Sequence, residues 1–171
     1  MSHANRGMAF ESLIDYTNEA YDRNGKAVIN KRPTPVKVTR SRGSKVMAGF
    51  FEKPSTVDYD GVANGRAIAF EAKSVESLTR FDISNMNNHQ YEYLEKYHRQ
   101  QGIAFLLIHF TKLHKTYLMQ FETLRSYWLR SKEPKGRKSI PIDDFEMHAY
   151  EVPTTTVPVD YLSVVERVYV A

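Results

Sequence analysis

The sequence predicts an α/β fold: a mixed β-sheet flanked by helices, with a protruding basic arm. Three observations carry that expectation. An Asn64-Gly65 pair lies between two strand-like runs, and Asn-Gly is the strongest short-range hairpin signal because a type I′ turn needs positive φ at both central positions. Ile103 to Phe110 is a continuous apolar run, as a central strand covered on both faces requires. Apolar residues recur at helical spacing ahead of each of these segments.

The elements follow in order. Gly7 to Tyr21 reads as a helix with Phe10, Leu13, Ile14, Thr17 and Tyr21 on one stripe, ended by Asn24-Gly25. Ala27-Val28-Ile29 is a short strand. Pro33 and Pro35 then forbid regular helix. Val36 to Gly49 is polar, basic and glycine-containing, and reads as a protruding arm or mobile loop with its tip near Ser41-Arg42-Gly43-Ser44. Phe50 and Phe51 are expected to return the chain to the body, and Pro54-Ser55 precedes the hairpin. A second helix is expected from about Asn85 to Gln101, with Gly102 as its C-cap and Met86, Tyr93, Leu94 and Tyr97 as its apolar stripe. Gln90 sits on that stripe, so its amide either bonds buried backbone or points at the sheet. Thr116 to Phe121 is another strand. Thr123 to Ser131 is a helix with Trp128 in the core, broken by Pro134-Lys135-Gly136. Ile140 to Val152 reads as an edge element and Pro153 to Pro158 as a linker. Tyr161 to Tyr169 is expected to dock, as helix or strand, on the body or on a second subunit.

With 171 residues the chain is long enough for one domain with a substantial core, and the arm is an insertion at about 33–51. It has no cysteine, which excludes a disulfide framework, a thiolate metal site and a cysteine nucleophile. No apolar run reaches the ~18–20 residues of a membrane span, so a soluble cytoplasmic protein is expected. Phosphate-loop, dinucleotide-binding and serine-nucleophile motifs are absent, and His89 and His109 read as structural. The net charge is +4, and its distribution says more. Between Asp22 and Glu52 no acid occurs, while Lys26, Lys31, Arg32, Lys37, Arg40, Arg42 and Lys45 do. A second cluster holds Arg130, Lys132, Lys135, Arg137 and Lys138. Each alone is ordinarily a solvated loop. Together, on either side of a phosphate-chemistry site, they suggest a nucleic-acid footprint.

That site comes from hairpin arithmetic. If Asn64 and Gly65 are the central pair, facing residues have numbers summing to 129. Asp58 then faces Glu71 and Thr56 faces Lys73, all on one sheet face, because strand side chains alternate with period 2. Such pairs also occur on solvated faces. Yet opposed carboxylates repel, and the Glu71 strand is otherwise apolar, so it reads as interior. A divalent cation would relieve the repulsion, Thr56 would add an oxygen ligand, and Lys73 would face an anionic phosphate.

Val57-Asp58 followed by Phe70-Glu71-Ala72-Lys73 resembles the PD-(D/E)XK nuclease superfamily, without the leading proline. Longer strings narrow this. Asn5-Arg6-Gly7-Met8 with Glu11, Lys31 to Val36, Lys53 to Tyr59 with Gly61-Val62, Phe70 to Lys73, His89-Gln90 and Gly102 to Phe105 resemble the RecU family of Holliday junction resolvases over about residues 5–121. The resemblance implies a restriction-endonuclease-like mixed β-sheet with a basic stalk. It implies a homodimeric endonuclease that nicks four-way junction DNA symmetrically in recombination and repair, with Mg²⁺, or Mn²⁺ in its place. It assigns metal binding to Thr56, Asp58, Glu71 and Gln90, and catalysis to Asp58, Glu71 and Lys73. Glu11 is an outer contributor. Lys31, Arg32, Lys37, Arg40, Arg42 and Lys45 would contact DNA, the last four from the stalk. Asp60 is a departure, a third carboxylate on the same face. Cellular members carry an extra segment ahead of Asn-Arg-Gly, so a bacteriophage version is expected, with host recombination partners in doubt. Two other readings stay open: a nuclease of the superfamily acting on other DNA structures, and a non-catalytic junction-binding accessory protein.

Overall fold

The computed structural model describes residues 3–52 and 56–170. Lys53, Pro54 and Ser55, and the side chains of Asn5 and Arg6, lie outside the described residues, so those parts of the quoted strings have no structural counterpart here. A helix, α1 (His3–Arg23), opens the chain, and strand β1 (Ala27–Lys31) follows. A separate two-stranded ribbon comes next, β2 (Val36–Arg42) and β3 (Lys45–Phe51). Strands β4 (Tyr59–Ala63) and β5 (Arg66–Val75) form the expected hairpin. Then come β6 (Arg80–Asp82), a 3₁₀ turn at Ile83–Asn85, α2 (Asn88–Arg99), β7 (Ile103–Phe110) and β8 (Lys115–Gln120). The rest is α3 (Phe121–Lys132), β9 (Ser139–Pro141), α4 (Ile142–His148), β10 (Tyr150–Glu151), α5 (Tyr161–Val165) and a π-helical turn at Glu166–Val170.

The main sheet is mixed, in the order β1-β4-β5-β7-β8-β10. Only β5 and β7 run parallel, since α2 carries the chain back between them. One face of the sheet packs on α1 and α5, around Phe70 stacked between Tyr59 and Phe105 at centroid distances of 4.9 and 4.8 Å. The other packs on α2, α3 and α4, where Tyr91 stacks on Trp128 at 4.6 Å. β7 is buried on both sides except at His109, which lies against Phe10 and bonds the Thr116 hydroxyl at 3.0 Å. Desolvation there holds the His109 pKa below its ordinary value.

Several expectations are corrected. The Val36–Gly49 arm is a β-ribbon rather than a loop, because its valines and threonine favour paired strands. Its tip is where expected: Gly43 takes φ +59° between the paired Arg42 and Lys45, which suits a type II′ turn. Phe50 and Phe51 stay on the ribbon and are exposed. On α1, Leu13 faces solvent while Thr17 is buried. Thr17 accepts the Val159 N–H at 3.3 Å, which makes the inward hydroxyl useful.

α2 begins at Asn88, after the 3₁₀ turn. Its left-handed terminal residue is Gln101 at φ +63°, not Gly102. Gln101 N–H bonds His98 O at 3.0 Å and Gly102 N–H bonds Tyr97 O at 2.9 Å, the paired bonds of a Schellman ending. Gly102 is there for space, since a Cβ would lie 3.0 Å from the Tyr97 ring and carbonyl.

The 140–152 stretch holds β9, the short helix α4 and only then the edge strand β10. Asp143 and Asp144 in the first turn of α4 favour a helix too short to show a period. The 153–158 linker is packed through buried Val157, and the C-terminal segment docks on the body through Val159, Tyr161, Leu162, Val164 and Val165.

Burial holds the Tyr21, Tyr59 and Tyr161 phenols well above their ordinary range. Folded values above unfolded ones give stability that is fully present below about pH 10 and is lost as pH rises past it. The urea midpoint should therefore fall between about pH 9 and pH 11, more steeply in the native chain than in Tyr161→Phe. Equal slopes would show that burial does not restrain these phenols.

Candidate active site

The Asn64-Gly65 turn sets the register that builds the site. Asn64 and Gly65 have φ of 50° and 74°, and Tyr59 pairs with Phe70, so the sum of 129 holds. Along β5, Phe70 and Ala72 belong to the layer against α1, which turns Glu71 and Lys73 toward α2. Asp58 lies just before β4, between buried Val57 and Tyr59. The Arg32 N–H bonds its carbonyl at 2.7 Å.

Glu71 is wholly buried and its carboxylate is the centre of the contacts. The Asp58 N–H donates to Oε2 at 3.2 Å. Lys73 Nζ donates to Oε1 at 2.7 Å, and Gln90 Nε2 donates to the same oxygen. The Asp58 side chain accepts the Ala72 N–H at 3.0 Å. Burial, then the charge of Asp58, pushes the Glu71 pKa up to about 8, against the pull of Lys73. Gln90 is held from behind, because its Oε1 accepts the Asn87 N–H at 2.9 Å as the side chain of a capping box. Both sequence readings of the inward amide therefore apply: it bonds backbone and it meets the sheet.

Four of the sequence-derived site residues, Asp58, Glu71, Lys73 and Gln90, thus come together. Thr56 is half-buried ahead of β4, where the ladder no longer extends, and makes no hydrogen bond to them among the described residues. Glu11 lies on α1 with its carboxylate on Lys31 at 2.8 Å. Lys31 also reaches Asp15 at 3.2 Å, so it is neutralised by α1. Arg32 forms a two-pronged pair with Asp60, its Nε at 2.7 Å, and bonds the Tyr93 hydroxyl at 3.3 Å. Asp60 also accepts from the Tyr97 hydroxyl at 3.3 Å. Lys37, Arg40, Arg42 and Lys45 project from the exposed ribbon.

Sequence reasoning missed two supports. One is the Arg32–Asp60–Tyr97 clamp beside Asp58, which no local pattern announces. The other is Asn87, whose place three residues before Gln90 matches a capping-box spacing. Among the described residues no three acidic or histidine side chains cluster closely enough to hold a metal by themselves. Two carboxylates do converge, with the Gln90 amide nitrogen beside Glu71.

Comparison with known proteins completes the picture. Among solved structures, a 1.6 Å structure of Archaeoglobus fulgidus Hjc, described as a Holliday junction resolvase from an archaeal hyperthermophile, gives a TM-score of 0.44 at 9% identity. It covers 81% of this chain and 94% of that one, a likeness too loose to bear on the chemistry. Holliday junction resolvase RecU of Geobacillus kaustophilus is 40% identical over 173 residues, covering 98% of this chain and 86% of that protein. That of Streptococcus pneumoniae (strain CGSP14) is 39% identical over 172 residues, covering 96% and 84%. The family model described as recombination protein U matches residues 5–167. With the Asp58–Glu71–Lys73–Gln90 cluster inside a match that spans almost its whole length, this chain belongs to the RecU family.

Proposed function

We propose that this chain is a divalent-metal-dependent endonuclease that resolves four-way DNA junctions by paired symmetric nicks, acting as a homodimer in the bacterial cytoplasm. One observation supports the reading above others: Asp58, Lys73 and Gln90 all converge on the buried Glu71 carboxylate. The family relatives are named Holliday junction resolvases.

The donor set fits a hard cation such as Mg²⁺, or Mn²⁺ in its place. A fully buried carboxylate facing a second one is costly, and its raised pKa records that cost. Asp58 and Glu71 would hold the ion, with neutral oxygens from Thr56 and from Gln90. Gln90 would reach the ion with Oε1 only by releasing the Asn87 N–H, since that oxygen is the acceptor of the capping box. When bound, the cation supplies an acidified water and offsets charge on the leaving oxygen.

The chain's own residues do the rest. The Asp58 N–H fixes the direction of the Glu71 head, and the capping box holds Gln90 beside it until the ion binds. Lys73 keeps its ammonium beside Glu71 and partly exposed, where it meets the scissile phosphate and stabilises charge developing there. Glu11 acts from further out, through Lys31. The ribbon enters the junction centre, and Lys37, Arg40, Arg42 and Lys45 contact phosphates or stacked bases. Lys31 and Arg32 reach DNA by exchanging their carboxylate partners for phosphate oxygens.

Three measurements test this. On a strand-labelled four-way junction, the native chain should give paired symmetric nicks in Mg²⁺ and none in EDTA, and it should leave linear duplex uncut. Asp58→Ala and Lys73→Ala should still bind the junction but cut it at least about a hundredfold more slowly. A rate within a few-fold of native would remove these residues from the mechanism. In EDTA, Glu71→Gln should melt no earlier than the native chain, because it no longer buries a carboxylate opposite Asp58. Adding Mg²⁺ should raise the melting temperature of the native chain and not of Glu71→Gln. Replacing residues 36–51 with a short flexible linker should preserve the melting temperature, since every ribbon residue is exposed. It should also abolish the preference for junction over duplex.

A further inference from the structure

The second basic cluster has no part in the site described so far. Arg130 and Lys132 end α3, and Lys135, Arg137 and Lys138 lie on the turn into β9, all exposed. None of the ion pairs among the described residues includes any of these five. Lys31 and Arg32, by contrast, are occupied by carboxylates.

The turn is built rather than loose. Gly136 packs so tightly on the end of α3 that a Cβ would fall 1.7 Å from the Arg130 carbonyl. Lys138 turns back onto the carbonyls of Ser131 and Glu133, capping the helix. Lys132 is pinned as well. Its ammonium lies 4.2 Å from the centre of the Trp128 ring and donates to Asn88 Oδ1 at 3.1 Å. That leaves Arg130, Lys135 and Arg137 directed to solvent around a fixed Lys132.

Topology sets where this charge sits. β7 starts beside Ile68 and runs parallel to β5, so α2, which leads into it, begins past Glu71 toward the Val75 end of β5. β8 runs back down, and α3 rises again. The two helices meet at Asn88 and Lys132, two residues from Gln90. A groove of about 390 Å³ lies beside this contact, between the 3₁₀ turn and the end of α3, with Met86 and Trp128 as apolar floor and Ser84, Lys132 and Lys138 at its edge. An apolar floor with cations at the edge suits a sugar–phosphate backbone.

We infer that the α3–β9 turn, with Lys132, Lys135 and Arg137 foremost, is a second DNA-backbone site that grips the duplex arm leaving the cleavage point. The inference rests on the junction-resolving reading for its substrate. It adds a contact separate from the ribbon: the ribbon reads the branch point, and the turn holds an arm in line with Glu71.

The test is binding of a four-way junction in EDTA across a salt series, with a linear duplex alongside. The probe protein is Lys132→Gln with Lys135→Gln and Arg137→Gln, which removes the three charges and leaves an apolar stem at Trp128. Each phosphate contact contributes about 0.9 to the slope of log affinity against log salt, so the slope should flatten by roughly 2 to 3 and affinity should drop at least about tenfold. Native slope and affinity in this variant would overturn the inference and leave the patch to an acidic protein surface. If the native chain shows no preference for the junction over duplex but the variant still flattens the slope, the resolving function fails and the turn stands as a DNA site.

Discussion

The structure is organised around the burial of one carboxylate. Glu71 sits on a strand with neighbours on both sides and a helix above, and water does not reach it. A charge in that position costs several kcal/mol unless it is paired and hydrogen-bonded. Three donors from three separate elements, the Asp58 backbone, Lys73 and Gln90, supply that pairing. Much of the surrounding architecture exists to bring those donors to one point.

α2 shows how. Its N-terminus must stand over Glu71 for Gln90 to reach, and its C-terminus must turn at once into β7. The capping box fixes the first end and the Schellman turn at Gln101 fixes the second. Between them, Tyr91 stacked on Trp128 and the wholly buried Leu94 anchor the helix against its neighbours. On the opposite face the Tyr59–Phe70–Phe105 stack holds β4, β5 and β7 in line. A densely packed interior of this kind moves little, which keeps the reacting groups in position.

Charge is divided along the same lines. On the body near the site, cations are matched to acids: Lys31 to Glu11 and Asp15, Arg32 to Asp60. On the ribbon and on the α3–β9 turn, cations stand without acidic partners among the described residues. Paired charges tie elements together, while unpaired ones on exposed projections raise the local potential for a polyanion. The modest net charge of +4 understates that field because the body cancels its own share.

The sequence by itself determined the hairpin, its register and hence the meeting of Asp58 with Glu71, because turn chemistry and strand alternation are local rules. It also placed Gln90 on an inward stripe and the interior strands β5 and β7, from periodicity alone. The same hairpin arithmetic offered Thr56, and resemblance to the family added Glu11 and the roles of the basic residues. What only the tertiary structure decided depends on distant partners. Tyr21 bonds Asp160 across 139 positions, and Val157 enters the core from a stretch that reads as a linker. The pairing of Arg32 with Asp60, and the pinning of Lys132 between Trp128 and Asn88, join side chains that no period relates. Local rules describe which way a side chain leaves its own element. Which element it meets is set by how the layers pack, and that is a property of the whole chain.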